Sequence, residues 1–163
     1  MALHKEATRT LFDTPVFHHN GFAHPPMLLI PQEEPAALVA GKWGIVPQNK
    51  KKEEVGAYYK EAVRYGGGLN AQSEKLFSHF IYKHAALSRR CLIPVTGFFE
   101  PHDLKGKKYP FYISRQDNEV FALAGIYTLI AGMPTFSILT QAASALFEKI
   151  HNKKKRQPIL IAA

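Results

Sequence analysis

The chain has 163 residues, of which 46% are hydrophobic and 21% are charged, as in an ordinary globular protein. This length favours a single domain that buries a core without disulfide or metal staples. The formal net charge of +8 favours a polyanionic partner, most commonly nucleic acid. The alternative is that the lysines only keep the surface soluble.

Cysteine content and hydropathy limit where the protein works. The chain has 1 cysteine, so an internal disulfide is excluded and a reducing compartment fits best. No apolar run approaches the length of a membrane span, and residues 1–6 carry no signal-peptide core. We therefore expect a cytoplasmic protein, and no membrane partner.

The pattern of apolar and polar residues predicts short elements, with strands dominating the second half. The segment 48–65 is polar, and we expect it to be irregular or weakly helical. A lysine-rich turn at 105–108 predicts a hairpin between the strands before and after it. In chain order, the predicted elements are a helix at 3–12, strands at 27–30, 37–40 and 42–47, a helix at 73–88, strands at 91–100, 109–114, 120–127 and 135–140, a helix at 143–150 and a strand at 157–161.

The strand at 91–100 contains nine uncharged residues and then Glu100. A carboxylate at the end of a buried strand is held on rigid backbone, where low dielectric raises its pKa toward neutrality, as general acid–base catalysis requires. The alternative is that Glu100 is simply the first solvated residue after a core strand. Because strand residues alternate faces, Phe98 or Phe99 should belong to the core. Cys91, inside the same strand, is interpreted as a core residue.

Two further segments place polar groups at the ends of predicted elements. Asn70 opens the first, and His151 lies between a short apolar helix and a basic run in the second. Histidine is the usual proton carrier near neutral pH, although a histidine at a helix end is more often a cap. The runs 50–52, 89–90 and 153–156 would attract phosphate, although each is more often a solvated patch.

Several common sites are excluded by their missing patterns. His18, His19 and His24 lack the spacing of a metal site. The glycines at 66–68 lack the lysine and helix of a phosphate-binding loop, and no Gly-x-Ser-x-Gly elbow occurs. No metal and no cofactor are therefore expected.

Four blocks, in order, resemble the SOS response-associated peptidase family, also called abasic-site processing proteins. The third block is long and specific, and four ordered matches by chance are very improbable. The blocks are residues 43–47, similar to Trp-Gly-Leu-Ile-Pro; 69–74, similar to Asn-Ala-Arg-x-Glu; 90–100, similar to Arg-Cys-Leu-Ile-Pro-x-x-Gly-Phe-Tyr-Glu; and 151–160, similar to His-x-Arg-Met-Pro-Val-Ile-Leu.

The resemblance implies covalent capture of abasic sites in single-stranded DNA. In the family, a cysteine exposed by removal of the initiator methionine condenses with the sugar aldehyde and closes a thiazolidine. The resemblance assigns Asn70 to orienting the cysteine and sugar, Glu100 to proton transfer, and His151 to ring opening and Schiff-base steps. The residues predicted to contact DNA are Trp43, Gln72, Arg89, Arg90 and Arg156.

The sequence departs from the family pattern at several positions. Ala2 stands where the reactive cysteine is expected, and Cys91 cannot replace it because a thiazolidine needs amine and thiol on one residue. The other departures are Gln72 for arginine, Pro101 for tryptophan, Gln157 for methionine, and three lysines before Arg156. We expect one domain over residues 1–163 that lacks the family's N-terminal cysteine segment and C-terminal end; a true pseudoenzyme is the alternative.

The predicted fold is a single α+β domain, with a curved, mainly antiparallel, barrel-like sheet, short helices and a basic cleft. The predicted function is abasic-site processing on single-stranded DNA by a monomer. Two alternatives stay open. One is a non-covalent single-stranded nucleic-acid binding module, and the other is a small hydrolase using Glu100 and His151 on another substrate.

Overall fold

The computed structural model describes residues 14–161. Its strands are β1 (Pro26–Pro31), β2 (Val39–Trp43), β3 (Asn70–Gln72), β4 (Arg90–Val95), β5 (Gly97–Leu104), β6 (Lys107–Ser114), β7 (Phe121–Ile130), β8 (Met133–Ala142), β9 (Arg156–Pro158) and β10 (Leu160–Ile161). Its α-helices are α1 (Val55–Ala62), α2 (Tyr82–Ser88) and α3 (Ala145–Ile150). The helix predicted at 3–12 falls outside the described residues.

Five strands close into a barrel. The pairing runs β7–β4–β1–β2–β8 and returns from β8 to β7. Only β2–β8 is parallel within this ring. The strand β3 extends the sheet from one edge of β8, and β9 pairs with the other edge. This architecture confirms the predicted fold class.

The barrel has a packed interior and a helix-covered outer side. Leu29, Ile93 and Phe136 lie inside and are fully buried. Outside the barrel, Ile45 and Ile126 are covered by the segment that includes α2. The strand β7 is therefore apolar on both faces, since one faces the interior and the other faces the helix.

The predicted strand at 91–100 is in fact two strands. The chain bends at Thr96, and β4 stays in the barrel while β5 leaves it to pair with β6 as a separate hairpin. The first residue of β5 is glycine, Gly97, because a β-carbon at this position would overlap the ring of Tyr112. Glu100 consequently lies in the middle of β5, and the prediction that it ends a buried strand is wrong.

Several other boundaries differ from the prediction. The polar segment contains the regular helix α1, which buries Val55, Tyr59 and Ala62 at helical spacing. The predicted helix at 73–88 is a short 3₁₀ turn that becomes α-helical only at α2. The strand predicted at 42–47 stops at Trp43, the last residue of β2. It stops there because Gly44 adopts a left-handed conformation, with φ +123°, and turns the chain out of the barrel.

None of the helices within residues 14–161 has the length and apolar character needed to cross a membrane.

Candidate active site

Glu100 and His151 meet in a partly enclosed site between the hairpin and the segment after α3. The Oε2 atom of Glu100 lies 3.0 Å from Nδ1 of His151. The side chains are only 12% and 14% exposed, respectively. Two residues that the sequence analysis selected separately, 51 positions apart in the chain, are thus in direct contact, and their catalytic roles stay predictions.

The surroundings of this pair set its protonation chemistry. Burial raises the pKa of the Glu100 carboxyl to about 7. The Nδ1 atom of His151 also lies 3.0 Å from the carbonyl oxygen of Arg156. Because a carbonyl oxygen only accepts, Nδ1 of His151 is the donor in this contact, and Nε2 is the ring nitrogen left for contact with a substrate. A carboxyl group whose pKa is close to 7, held next to an oriented imidazole, is suited to giving and taking protons near neutral pH.

Glu100→Gln should stabilise the fold at neutral pH. The folded-state pKa of about 7 lies above the ordinary value of 4.5 for a glutamate, so the folded chain binds more protons than the unfolded chain between these values. Stability therefore falls as the pH rises through this window, and the neutral amide removes that penalty. We expect the Tm of the variant to exceed that of the unmodified chain by several degrees at pH 8 and by little near pH 4.5. A Tm difference that is independent of pH would contradict this origin.

The face of β5 that carries Glu100 is attached to α3 on both sides of the carboxylate. Two residues earlier, Phe98 stacks on Phe147 of α3, with centroids 6.1 Å apart. Two residues later, Nδ1 of His102 lies 3.0 Å from the carbonyl oxygen of Ile150. These contacts hold Glu100 against the end of the helix, where His151 begins the next segment.

A second clamp joins the hairpin to the residue after His151. The backbone N–H of Asp103 donates to the side-chain oxygen of Asn152 at 3.0 Å, and the Asn152 amide donates to the Asp103 carbonyl oxygen at 2.8 Å. His102 and Asn152 are thus positioning residues that the sequence analysis missed. The only feature of the sequence that points to this role is that His102 lies two residues after Glu100 and Asn152 directly follows His151.

Arg156 connects the site to the segment after β3. Its guanidinium donates two hydrogen bonds of 2.9 Å to the carboxylate of Glu74, and a third of 2.7 Å to the carbonyl oxygen of Thr140. The pairing lowers the pKa of Glu74 to about 2. The three lysines that precede Arg156 lie in a turn closed by the N–H of Lys155, which donates to the carbonyl oxygen of His151 at 2.9 Å. This turn accommodates the extra lysines without displacing His151 from the carbonyl oxygen of Arg156.

Gln157 has a structural role in place of the family's methionine. Its side chain is buried, and its amide oxygen accepts from the backbone N–H of Ser144 at 2.7 Å, directly before α3. A buried polar group needs such a partner, and this bond satisfies it while fixing the start of the helix.

Asn70 and Gln72 lie on one face of β3. In the register, Asn70 is opposite Ile138 and Gln72 is opposite Thr140, and paired residues point to the same side of a sheet. Arg156, opposite Ala142, shares this side. Asn70, Gln72 and Arg156 therefore face one way, and the catalytic and DNA-binding roles of these residues stay predictions.

Trp43 has a clear packing role. Its indole N–H donates to the carbonyl oxygen of Leu69 at 2.9 Å, and its ring is nearly parallel to that of Phe136 at a 10° interplanar angle. These contacts hold the start of β3, directly before Asn70. One face of the indole is thus used in packing, and a DNA contact by Trp43 stays a prediction.

The register separates Arg89 and Arg90 from Arg156. Arg90 is level with Ser137 of β8, by way of the intervening strand β7. Arg156 lies opposite Ala142, five residues further along β8, from 137 to 142. Five residues of strand span about 16 Å. The arginine pair and Arg156 are therefore offset along the sheet, and the expectation that they border one cleft stays a prediction.

Cys91 is buried inside the barrel. Burial raises the pKa of its thiol to about 12, so the thiolate needed for nucleophilic attack is not populated near neutral pH. This environment agrees with its interpretation as a core residue.

His24, near the start of the described chain, contributes to packing. His24 is buried, stacks on Tyr59 with centroids 3.7 Å apart, and places Nδ1 2.8 Å from the carbonyl oxygen of Trp43. Within residues 14–161, no three His, Cys, Asp or Glu residues are grouped closely enough to hold a metal ion.

Comparison with known proteins defines the class. The family model described as SOS response associated peptidase (SRAP) matches residues 8–163, and the chain belongs to this family. It is 32% identical over 126 residues to the abasic site processing protein YoqW of Bacillus subtilis, which covers 74% of the chain and 51% of the relative. It is 27% identical over 114 residues to the abasic site processing protein YMR114C of Saccharomyces cerevisiae, covering 69% and 29%.

Solved structures support the same fold. A protein from Bacteroides thetaiotaomicron is 28% identical and superimposes with a TM-score of 0.74, covering 89% of this chain and 62% of that one. A protein from Bordetella bronchiseptica, 23% identical, has a TM-score of 0.71 and covers 96% and 79%. The chain spans about half the length of YoqW, at 51%.

Proposed function

We propose that this protein processes abasic sites in single-stranded DNA, with Glu100 and His151 transferring protons at the opened sugar. The observation that carries the proposal is their 3.0 Å contact in a site where burial raises the pKa of Glu100 to about 7. Membership of the SRAP family and the names of the similar proteins YoqW and YMR114C support DNA with abasic sites as the substrate.

The proposed reaction needs proton transfer at each step. Ring opening of the abasic sugar moves the proton of its hydroxyl and yields an aldehyde. An amine then adds to the aldehyde carbon, and a proton delivered to the resulting hydroxyl lets it leave as water, which forms an imine. A thiol on the same residue adds across the imine, with its proton passing to nitrogen, and closes a thiazolidine without any change of oxidation state. Glu100, ionising near neutrality, and Nε2 of His151 supply and accept these protons.

Neighbouring residues are assigned supporting roles in this proposal. Asn70 orients the sugar through its amide, and Arg156 and Gln72, on the same side of the sheet, face the backbone of the DNA. The net charge of +8 supports a phosphate-bearing partner, because binding that releases counterions is favourable and salt-sensitive.

One observation favours a second candidate, a non-covalent single-stranded DNA binding module. The cysteine of this sequence, Cys91, is buried inside the barrel and does not adjoin an α-amine, so it cannot close a thiazolidine. An amine alone forms only an imine, which water reverses. The two candidates share a DNA partner and differ in whether a stable bond forms.

A cross-linking assay separates the candidates. The unmodified chain and an Ala2→Cys variant are incubated with single-stranded DNA containing one abasic site, and adducts are resolved on a denaturing gel after heating. We expect non-covalent binding by both proteins and a heat-stable adduct from the variant alone, provided that methionine removal is confirmed by mass spectrometry. A processed variant that binds the DNA without forming an adduct would favour the binding module. A strong adduct from the unmodified chain would contradict the role given to the cysteine.

A further inference from the structure

The face of the hairpin that carries Glu100 also exposes two aromatic rings. In the register, Phe111 of β6 lies directly opposite Glu100, and Tyr109 lies opposite His102. Directly paired residues point to the same side of a sheet. Phe111 and Tyr109 are each 45% exposed, whereas Phe98 on the same face is covered by α3.

The two rings are placed to act as separate stacking surfaces. They lie two residues apart on one strand, about 7 Å along it, so each ring has room for a different planar partner. The ring of His102 contacts Phe111 at a centroid distance of 5.4 Å and an interplanar angle of 58°. Since His102 is itself held by α3, this contact fixes Phe111 relative to the Glu100–His151 pair.

Positive charge surrounds this face. Residues 103–108 at the hairpin tip contain three lysines and one acid, and residues 148–155 after the site contain four lysines and one acid. The two acids, Asp103 and Glu148, are each paired with a lysine. The other five lysines of these two segments have no carboxylate partner among the described residues. They are Lys105, Lys107, Lys108, Lys149 and Lys154.

We propose that Phe111 and Tyr109 stack on the bases next to the abasic site, while the lysines of the hairpin tip contact the phosphates leading away from it. The inference rests on the proposed function and assigns the path of the strand beside the lesion. Bare aromatic rings flanked by unpaired lysines suit single-stranded DNA, in which each nucleotide offers a π-face and a phosphate. An acidic protein would be attracted to the lysines but would not need planar groups next to Glu100.

The aromatic surface compensates for what the lesion lacks. An abasic nucleotide has no base to stack, so its position on the protein must be set by its neighbours. Phe111, opposite Glu100 in the register, is the exposed ring placed to hold such a neighbour. Stacking there would bring the sugar to the acid–base pair without any contact specific to sequence, because all four bases have a π-face.

A matched pair of variants tests this assignment. The probe is single-stranded DNA with a tetrahydrofuran abasic analogue and 2-aminopurine beside it. Phe111→Ala should weaken binding by about 5- to 100-fold, the range for loss of one base–aromatic stack, and should reduce quenching of the 2-aminopurine. Tyr112→Ala removes a ring that is 54% exposed on the opposite face of the same strand, and binding should change by less than about 2-fold. Phe111→Trp, which keeps a ring, should retain affinity and quenching.

The outcomes separate this inference from the function on which it rests. Unmodified protein that fails to bind the probe overturns both. If the unmodified protein binds and Phe111→Ala binds equally well, or if Tyr112→Ala loses as much affinity, the stacking surface is refuted and the proposed function stands. Thermal unfolding of each variant ensures that a loss of affinity is compared only among folded proteins.

Discussion

Replacing Glu100 with Gln in the Ala2→Cys protein should slow cross-linking to abasic single-stranded DNA by about 100-fold or more, the usual scale for one acid–base group. The amide keeps the size of the side chain and an oxygen that accepts from His151 at the observed 3.0 Å contact. It cannot release or take up the proton that each step requires. The measurement is the rate of adduct formation on a denaturing gel, with protein in excess over DNA.

The same change at a neighbouring carboxylate is the control. Glu148 lies on α3, pairs with Lys155 at 3.7 Å and is exposed, so Glu148→Gln should leave the rate almost unchanged. Binding to an unreactive abasic analogue should stay similar in both variants, because neither removes a positive charge. If the Glu100→Gln protein cross-links at the parent rate, Glu100 does not transfer protons in this reaction.

Phe136→Ala should destabilise the protein by about 3–5 kcal/mol, the usual cost of truncating a buried phenylalanine. The Phe136 side chain is fully buried in the barrel and lies beside Trp43, its partner on the neighbouring strand. Its loss leaves a cavity and also removes support from the tryptophan whose indole holds the start of β3. Urea unfolding, followed by the fluorescence of Trp43, measures the change in the free energy of unfolding.

An exposed phenylalanine gives the matched comparison for this stability effect. Phe80 is 76% exposed, so Phe80→Ala should change the free energy of unfolding by less than about 0.5 kcal/mol, as is usual for surface substitutions. Similar losses from both substitutions would mean that burial in the barrel does not determine the cost.

Local pattern was a good guide wherever one residue's neighbours in sequence determine its surroundings. The hairpin was predicted from its glycine- and lysine-containing turn, and β5 and β6 pair as expected. Phe98 is half-buried against Phe121 and Phe147, whereas Phe99 is 45% exposed, which confirms the alternation of faces. The burial of Cys91 followed from the same apolar run.

Local sequence pattern did not predict the structure correctly where pairing or packing with distant segments determines it. The uncharged run before Glu100 looks like one strand, but pairing with β7 ends at Val95 and pairing with β6 begins at Gly97. The polar segment hid α1 because only one narrow stripe is buried, including the hydroxyl of Tyr59, which donates to the carbonyl oxygen of Gly44 at 2.6 Å. Arg90 and Arg156 look equivalent as basic residues, yet the register separates them along the barrel.

The sequence by itself determined the family, the mainly antiparallel fold and the choice of Glu100 and His151, the two residues that meet in the candidate site. Those properties depend on residue type and order, which the chain carries directly. Only the tertiary structure decided that His102 and Asn152 clamp the hairpin to α3, that Trp43 supports β3, and that Phe111 stands beside Glu100. These properties depend on contacts between segments that are far apart in sequence, and such contacts form only when burial of the barrel core brings those segments together.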